Sequence, residues 1–307
     1  MFGILNIHKP AGWTSRDVVN RMQALVRPDK VGHAGTLDPL ATGVLVVGIG
    51  PATRLIRYVQ QMPKEYRATF LLGRTSPTED IEGQTTELAD PPRPTLADVR
   101  GQLPRFLGRI QQRPPAFSAI KVRGRRAYKL ARQGKTVELA PRPVTIHTLQ
   151  VLRYEYPELE LQIACGSGTY VRALGRDLAA VLGTGAVMSA LQRTAIGEYR
   201  VGDATPLQDL SPSNLRDHLL SPLTALGALP QRILTPNEIR TLQQGKTISS
   251  SASRGVPAHG QANEIAAVTA NHQLVAILTV RGHGCLHPAR NFPLPCPTDR
   301  HNRSPGH

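Results

Sequence analysis

The sequence predicts an α+β fold, a mixed-sheet core followed by a small β-rich C-terminal module. Three observations carry this prediction. The chain has 307 residues, and at roughly 100–200 residues per domain that suggests about two domains, each able to bury a core. Segments of period-2 and period-3.6 apolar spacing are interleaved before about Ser211. Beyond that point Pro, Ser and Gly rise, and strand-like runs appear at 265–269 and 274–280. The expected boundaries are a core over 1–224, a module over 225–292, and a disordered tail over 293–307.

Residues 2–7 read as a first strand and Pro10-Ala11-Gly12 as a turn. Thr14 and Asp17 can cap a helix whose apolar face is Val18, Val19, Met22, Leu25 and Val26. Residues 32–43, rich in turn formers, are a loop; 44–49 form a buried strand, and Pro51 opens a helix. Tyr66, Ala68, Phe70 and Leu72 alternate as in a half-buried strand. Residues 90–94 are a break, after which Thr95 and Asp98 can cap a short helix limited by Pro104. Strand signals return at 118–122, 144–154 and 159–163, and a helix is expected over 169–182, with Thr169 as its N-cap and Gly183-Thr184-Gly185 ending it.

Charge narrows the function classes. Lys and Arg number 37 against 22 Asp and Glu, a formal charge of +15, which favours a polyanionic partner because neutralised phosphates release counterions. The cations are clustered. No acid lies between Asp98 and Glu138, while Arg100, Arg105, Arg109, Arg113, Lys121, Arg123, Arg125, Arg126, Lys129, Arg132 and Lys135 fall inside that interval. A solvated face normally mixes signs, so this pattern reads as a nucleic-acid footprint. Charge-free stretches fall short of the roughly 18–20 apolar residues a membrane helix needs, so no membrane association is expected. The N-terminus lacks a signal-peptide pattern, and three cysteines make no disulfide framework; a cytoplasmic location is expected.

Two segments could carry chemistry. Asp38 stands in the 32–43 loop with His33 five residues before it and no further acid until Glu65. An Asp before Pro commonly serves a turn, but a lone carboxylate between a basic helix and a buried strand also suits a nucleophile. The second is Cys165-Gly166-Ser167-Gly168-Thr169-Tyr170-Val171-Arg172, where a strand hands over to a helix and Arg172 can aim a guanidinium at the loop end. No phosphate-cradling, zincin or serine-hydrolase motif is present, and His283, Cys285, His287 and Cys296 lack the usual zinc spacing. No metal and no cofactor are expected.

Five motifs in order resemble the bacterial TruB-type tRNA pseudouridine synthases. These are His33-Ala34-Gly35-Thr36-Leu37-Asp38-Pro39 with Ala41-Thr42-Gly43; Lys64-Glu65-Tyr66-Arg67-Ala68; Pro114-Pro115-Ala116-Phe117-Ser118-Ala119-Ile120-Lys121 with Gly124 and Tyr128; Gly168-Thr169-Tyr170-Val171-Arg172; and Leu191-Gln192-Arg193-Thr194. The resemblance extends to about Asp203 and is weaker beyond.

The resemblance implies a pseudouridine synthase core with an RNA-binding insertion around 74–135 and a PUA-like C-terminal domain. It implies isomerisation of uridine 55 in the T arm of tRNA, without an obligate protein partner and as a monomer. Asp38 is the implied nucleophile and Arg172 its ion-pair partner. Tyr66 would stack on the flipped uracil, His33 would enter the gap left by extruded bases, and Tyr170 and Leu191 would line the pocket. Lys64, Lys121, Arg123, Arg125, Arg126, Lys129 and Arg132 are the implied RNA contacts. The chain departs from the family at Gly166-Ser167 and Gln192, and its 75–80 turn follows the family only loosely, which leaves Asp80 without a clear role. Which residue takes the C5 proton stays open, Tyr66 being one candidate.

Overall fold

The computed structural model describes residues 1–307 except 119, 123, 132, 135–138, 250–263, 282–283 and 295–307, and gives only the backbone of Lys121 and Arg281. The core comprises β1 (Gly3–Lys9), α1 (Ser15–Val26), β2 (Val31–His33), β3 (Thr42–Ile49), α2 (Ile56–Gln61), β4 (Lys64–Leu72), α3 (Leu96–Gln102), β5 (Gly108–Gln112), β6 (Lys121–Val122), β7 (Arg125–Arg126), α4 (Ala127–Ala131), β8 (Arg142–Glu155), β9 (Glu158–Cys165), α5 (Val171–Val181) and β10 (Ala186–Ile196). After it come β11 (Gln231–Ile233), α6 (Pro236–Gln243), β12 (Ile248–Ser249), β13 (Glu264–Val268), β14 (Leu274–Arg281) and β15 (Cys285–Asn291).

One mixed sheet organises the core. From one edge its order is Thr205–Pro206, β1, β3, β10, β4, β9, β8, β5. Neighbours are antiparallel except at the Thr205–Pro206 edge and between β3 and β10, where Gln192 aligns with Thr42 in parallel. Period-2 alternation sends Leu5, Ile7, Leu45, Val47 and Ile49 toward Val18, Met22 and Val26 of α1, and Ile4, Val44 and Val46 toward Leu55 and Val59. The other half of the sheet buries Phe70, Leu161, Ile163 and Met188 against Leu174 and Leu178 of α5. Helix α5 lies very close to the sheet at Gly175, where a Cβ would fall 2.0 Å from the Phe70 ring. Both expected capping boxes form, Thr14 with Asp17 and Thr95 with Asp98.

β11, β13, β14, β15 and β12 form a second, five-stranded sheet. It meets the core through Phe292, whose ring stacks on Phe2 with centroids 5.5 Å apart and lies under the Arg54 guanidinium at 4.5 Å. Glu264 of β13 accepts from Arg57 and from the Tyr58 hydroxyl. An α+β core with a β-rich C-terminal part is what the sequence predicts.

Several local expectations need correction. The central strand β10 had no clean sequence signal. Its alternation is broken by bulges between Met188 and Ala190 and between Arg193 and Ala195, and a fully buried Arg193 stands where an apolar residue would be expected. The strand expected over 118–122 is only Lys121–Val122, paired with Arg125–Arg126. The segment opened by Pro51 begins as a 3-10 turn, Gly50–Leu55, before α2. Helix α5 starts at Val171, and its N-cap is Tyr170, without a side-chain bond. Thr169 is not the cap: its hydroxyl donates to the Gly166 carbonyl at 3.1 Å.

Candidate active site

The loop between β2 and β3 is pinned from beneath. Lys9, at the end of β1, is fully buried, and its ammonium donates to the carbonyls of Pro10 (2.8 Å), Trp13 (2.6 Å) and Pro39 (3.2 Å). Ser15 Oγ accepts from the Leu37 amide at 2.9 Å. Arg193 Nε donates to the Val44 carbonyl at 2.8 Å and Nη2 to the Gly35 carbonyl at 3.1 Å. Gly43, at φ +97°, passes so close to β10 that a Cβ would lie 2.2 Å from the Arg193 carbonyl oxygen. These contacts hold the backbone on both sides of Asp38.

Arg172, the second residue of α5, meets that loop. Its Nε lies 3.0 Å from Asp38 Oδ2 and its Nη2 3.2 Å from Asp38 Oδ1, a two-point contact that a planar guanidinium makes and an ammonium cannot. Nη1 lies 3.3 Å from Asp80 Oδ2 and donates to the Thr78 carbonyl at 2.6 Å; Nη2 also donates to the Phe117 carbonyl at 3.2 Å. The arginine side chain is 7% exposed and Asp80 4%, but Asp38 keeps 31%. The paired carboxylate therefore opens toward the cleft while its partners are buried.

Asp38 is isolated in sequence but not in space. The 75–80 turn folds Asp80 onto the far side of Arg172, where Asp80 Oδ1 accepts from the Thr78 hydroxyl at 2.5 Å and the Glu82 amide at 3.2 Å. Asp80 thus has a definite place, which its loose sequence signal did not reveal. Burial pushes the Asp38 carboxyl above the usual carboxylate range; Arg172 pulls it down and the Asp80 charge pushes it up again.

A cleft of about 390 Å³ opens above this pair, lined in part by Asp38, Lys64, Tyr66, Ser118, Arg142, Tyr170, Leu191 and Arg193. Of the expected site residues, Asp38, Arg172, Tyr66, Tyr170 and Leu191 come together here. Tyr66 is 9% exposed, and burial pushes its phenol up, with Arg193 opposing. Cys165 behind it is buried, its thiol pushed up to about 11, and so stays neutral. His33 is half-buried at the end of β2, two residues before the cleft wall begins at Gly35; burial lowers its pKa, and its Nδ1 has no partner among the described residues.

The expected RNA contacts divide. Lys64 lies in the cleft wall, 7% exposed, with its ammonium on the carbonyls of Gln60 and Met62 and its pKa brought down to about 8 by burial. Arg125, Arg126 and Lys129 are exposed on the β6–β7 hairpin and α4. That unit is tied to the cleft: Ala127 N donates to the Ile120 carbonyl at 2.7 Å, and Tyr128 N to the Ser118 carbonyl at 3.0 Å. Arg123, Arg132 and the Lys121 side chain lie outside the described residues, as do His283 and Cys296 of the weak zinc candidate. No group of three metal-ligating side chains occurs among the described residues. No helix among them is long and apolar enough to cross a membrane.

Lys9, Asp80, Ser118, Arg142 and Arg193 were missed as site residues. Lys9 and Arg193 sit in strands whose pattern gives no sign that a cation is buried there, and Asp80, Ser118 and Arg142 arrive from three separate segments.

The site is a bidentate Asp–Arg pair at the floor of an aromatic-walled cleft, on a mixed sheet beside a basic hairpin. Residues 23–171 match the TruB family pseudouridylate synthase, N terminal domain. The "tRNA pseudouridine synthase B" of Arthrobacter sp. (strain FB24) is 42% identical over 287 residues, 91% of this chain and 93% of that protein. The protein of the same name from Thermobifida fusca (strain YX) is 43% identical over 261 residues, 82% and 88% of the two chains. The chain belongs to the TruB family of pseudouridylate synthases. Its fold matches a chain of a Cbf5-Nop10-Gar1 complex with a TM-score of 0.71 at 25% identity, covering 91% of this chain and 78% of that one. It also matches a chain of an H/ACA RNP bound to a substrate RNA containing 2′-deoxyuridine, with a TM-score of 0.73 at 22% identity, covering 95% and 86%.

Proposed function

We propose that this protein isomerises uridine 55 in the T arm of tRNA to pseudouridine, with Asp38 as nucleophile. The observation that carries this reading is the geometry of Asp38: largely buried but open in part to the cleft, held at two points by Arg172, and fixed on both sides by a pinned loop.

A uracil stacked in a folded loop is out of reach, so the nucleotide is extruded, at a cost of roughly a few kcal/mol. Tyr66 stacking and His33 insertion offset part of that cost. The Asp38 carboxylate attacks C1′, the C1′–N1 bond breaks, and uracil leaves with the electron pair. The ring turns, C5 bonds to C1′, and the carboxylate departs. A base takes the C5 proton and N1 gains one, so atoms and charge balance without an external reagent. Tyr170 and Leu191 bound the space in which the ring turns. Ser118 Oγ, buried in the cleft wall with no partner among the described residues, is available to a uracil carbonyl.

Around the cleft, Lys121, Arg123, Arg125, Arg126, Lys129 and Arg132 hold the T arm, with residues around 74–135 as the RNA-binding insertion. Residues 1–224 form the catalytic domain and 225–292 a PUA-like module for the remainder of the tRNA. The enzyme works as a cytoplasmic monomer without a protein partner. Support for tRNA as the substrate comes from the names of the two bacterial relatives. Incubation with an unmodified tRNA transcript and mapping of pseudouridine by position tests the reading. Conversion at position 55 alone is expected; free uracil, or conversion elsewhere, contradicts it.

A further inference from the structure

We propose that Arg142 binds a backbone phosphate next to the flipped uridine and so fixes the nucleotide over Asp38. This rests on the reading of the cleft as a site for uridine in RNA. Arg142 opens β8 and pairs in register with Gln112 of β5. The Gln112 amide holds the Tyr170 backbone from both sides, donating to its carbonyl at 3.1 Å and accepting from its N–H at 2.9 Å. The Arg142 guanidinium lies over the Tyr170 ring, 5.0 Å from its centroid, and Nη2 donates to the Gly168 carbonyl at 2.9 Å. The side chain is thereby placed in the cleft wall on a rigid support, not free in solvent.

Its Nε is buried and has no partner among the described residues. A buried N–H without an acceptor is costly, and a ligand oxygen that reaches it offsets that cost. The other cations of the cleft wall are already held: Arg172 by two carboxylates and two carbonyls, Arg193 and Lys64 by two carbonyls each. Among the described residues Arg142 has no carboxylate partner, and the adjoining turn, Gly166-Ser167-Gly168-Thr169, carries no charge.

A flipped nucleotide brings a phosphate on each side of its ribose, and one of them must pass a cleft that already contains the Asp38 charge. A planar fork stacked on Tyr170 can offset that repulsion and accept a phosphate in two contacts. The same ring that bounds the uracil space would then orient the phosphate clamp, coupling backbone grip to base position.

The test compares wild type, Arg142→Ala and Arg142→Lys on a T-arm hairpin carrying one methylphosphonate, placed either 5′ or 3′ of the target uridine. On the unmodified hairpin Arg142→Ala is expected to raise KM about 10-fold or more with kcat changed less than about 3-fold, and Lys to restore part of the loss. At one of the two positions the neutral linkage should weaken wild type by a similar factor and leave Arg142→Ala nearly unaffected. If both neutral linkages penalise Arg142→Ala as much as wild type, or if kcat alone falls, Arg142 supports Tyr170 and binds no phosphate. An unchanged melting temperature for Arg142→Lys shows that the fold is retained. Absence of pseudouridine with wild type on the unmodified hairpin would instead overturn the reading of the site.

Discussion

Asp38 and Arg172 meet from positions 134 residues apart, and Asp80 completes a carboxylate–guanidinium–carboxylate row. Removing Asp80 leaves Arg172 with one anchor fewer in a buried setting, where an unmatched charge is costly. Asp80→Asn is expected to lower the single-turnover rate by about 10–100-fold with tRNA affinity changed less than about 3-fold. A pH profile separates this from general loosening. With the Asp38 carboxylate as the proposed nucleophile, the rate should fall as pH drops through its pKa, which burial holds above the ordinary 3.8. Asp80 is one of the charges that raise it, so in Asp80→Asn the acid limb should move to lower pH. A limb that stays in place would mean that the two carboxylates do not sense each other. Asp38, Tyr66, Tyr170, Arg172 and Leu191 were legible because each sits in a motif. Asp80 was not, because its position depends on a turn whose sequence is compatible with many loops.

At the scale of elements, the β6–β7 hairpin and α4 are the proposed RNA-holding unit outside the cleft. They present Arg125, Arg126 and Lys129 to solvent and are tied by backbone bonds to the wall residue Ser118. Arg125→Ala, Arg126→Ala and Lys129→Ala combined should reduce the slope of log affinity against log salt by about one unit per lost phosphate contact. An unchanged slope would show that these side chains are merely solvated. Most elements could be read in advance where alternation or helical spacing was clean, as in α1, β3, β4 and β9. β10 could not: two bulges and the buried Arg193 disrupt its period, although it lies at the centre of the sheet and carries Leu191 into the cleft. β5 and β15 were also unforeseen, because Gly108, Arg109 and Pro288 interrupt the apolar pattern that marks a buried strand.

For the whole molecule, the +15 charge divides into an exposed part and a buried part. Arg100, Arg105, Arg109 and Arg113 are exposed along with the hairpin cations, whereas Lys9, Lys64, Arg172 and Arg193 are interior and hold backbone or carboxylates. Composition reported the sum and could not report this division. The interior lysines have a thermodynamic signature. Burial brings Lys9 and Lys64 to about 8, against 10.5 for a free lysine. Above pH 8 the unfolded chain therefore binds more protons than the folded one, and stability rises with pH. The thiol of Cys165, pushed up to about 11 in the fold from an ordinary value of 9.0, offsets a smaller part of this rise as pH approaches 9. Denaturant midpoints should show a gain of about 1 kcal/mol per lysine between pH 8 and 9, roughly halved in Lys64→Gln. The most direct test of the central claim is tritium release from [5-³H]uridine tRNA by Asp38→Asn under single-turnover conditions, with tRNA affinity measured in parallel. Wild-type affinity with no release is the expected result; release at a substantial fraction of the wild-type rate would contradict the assignment of Asp38 as the nucleophile.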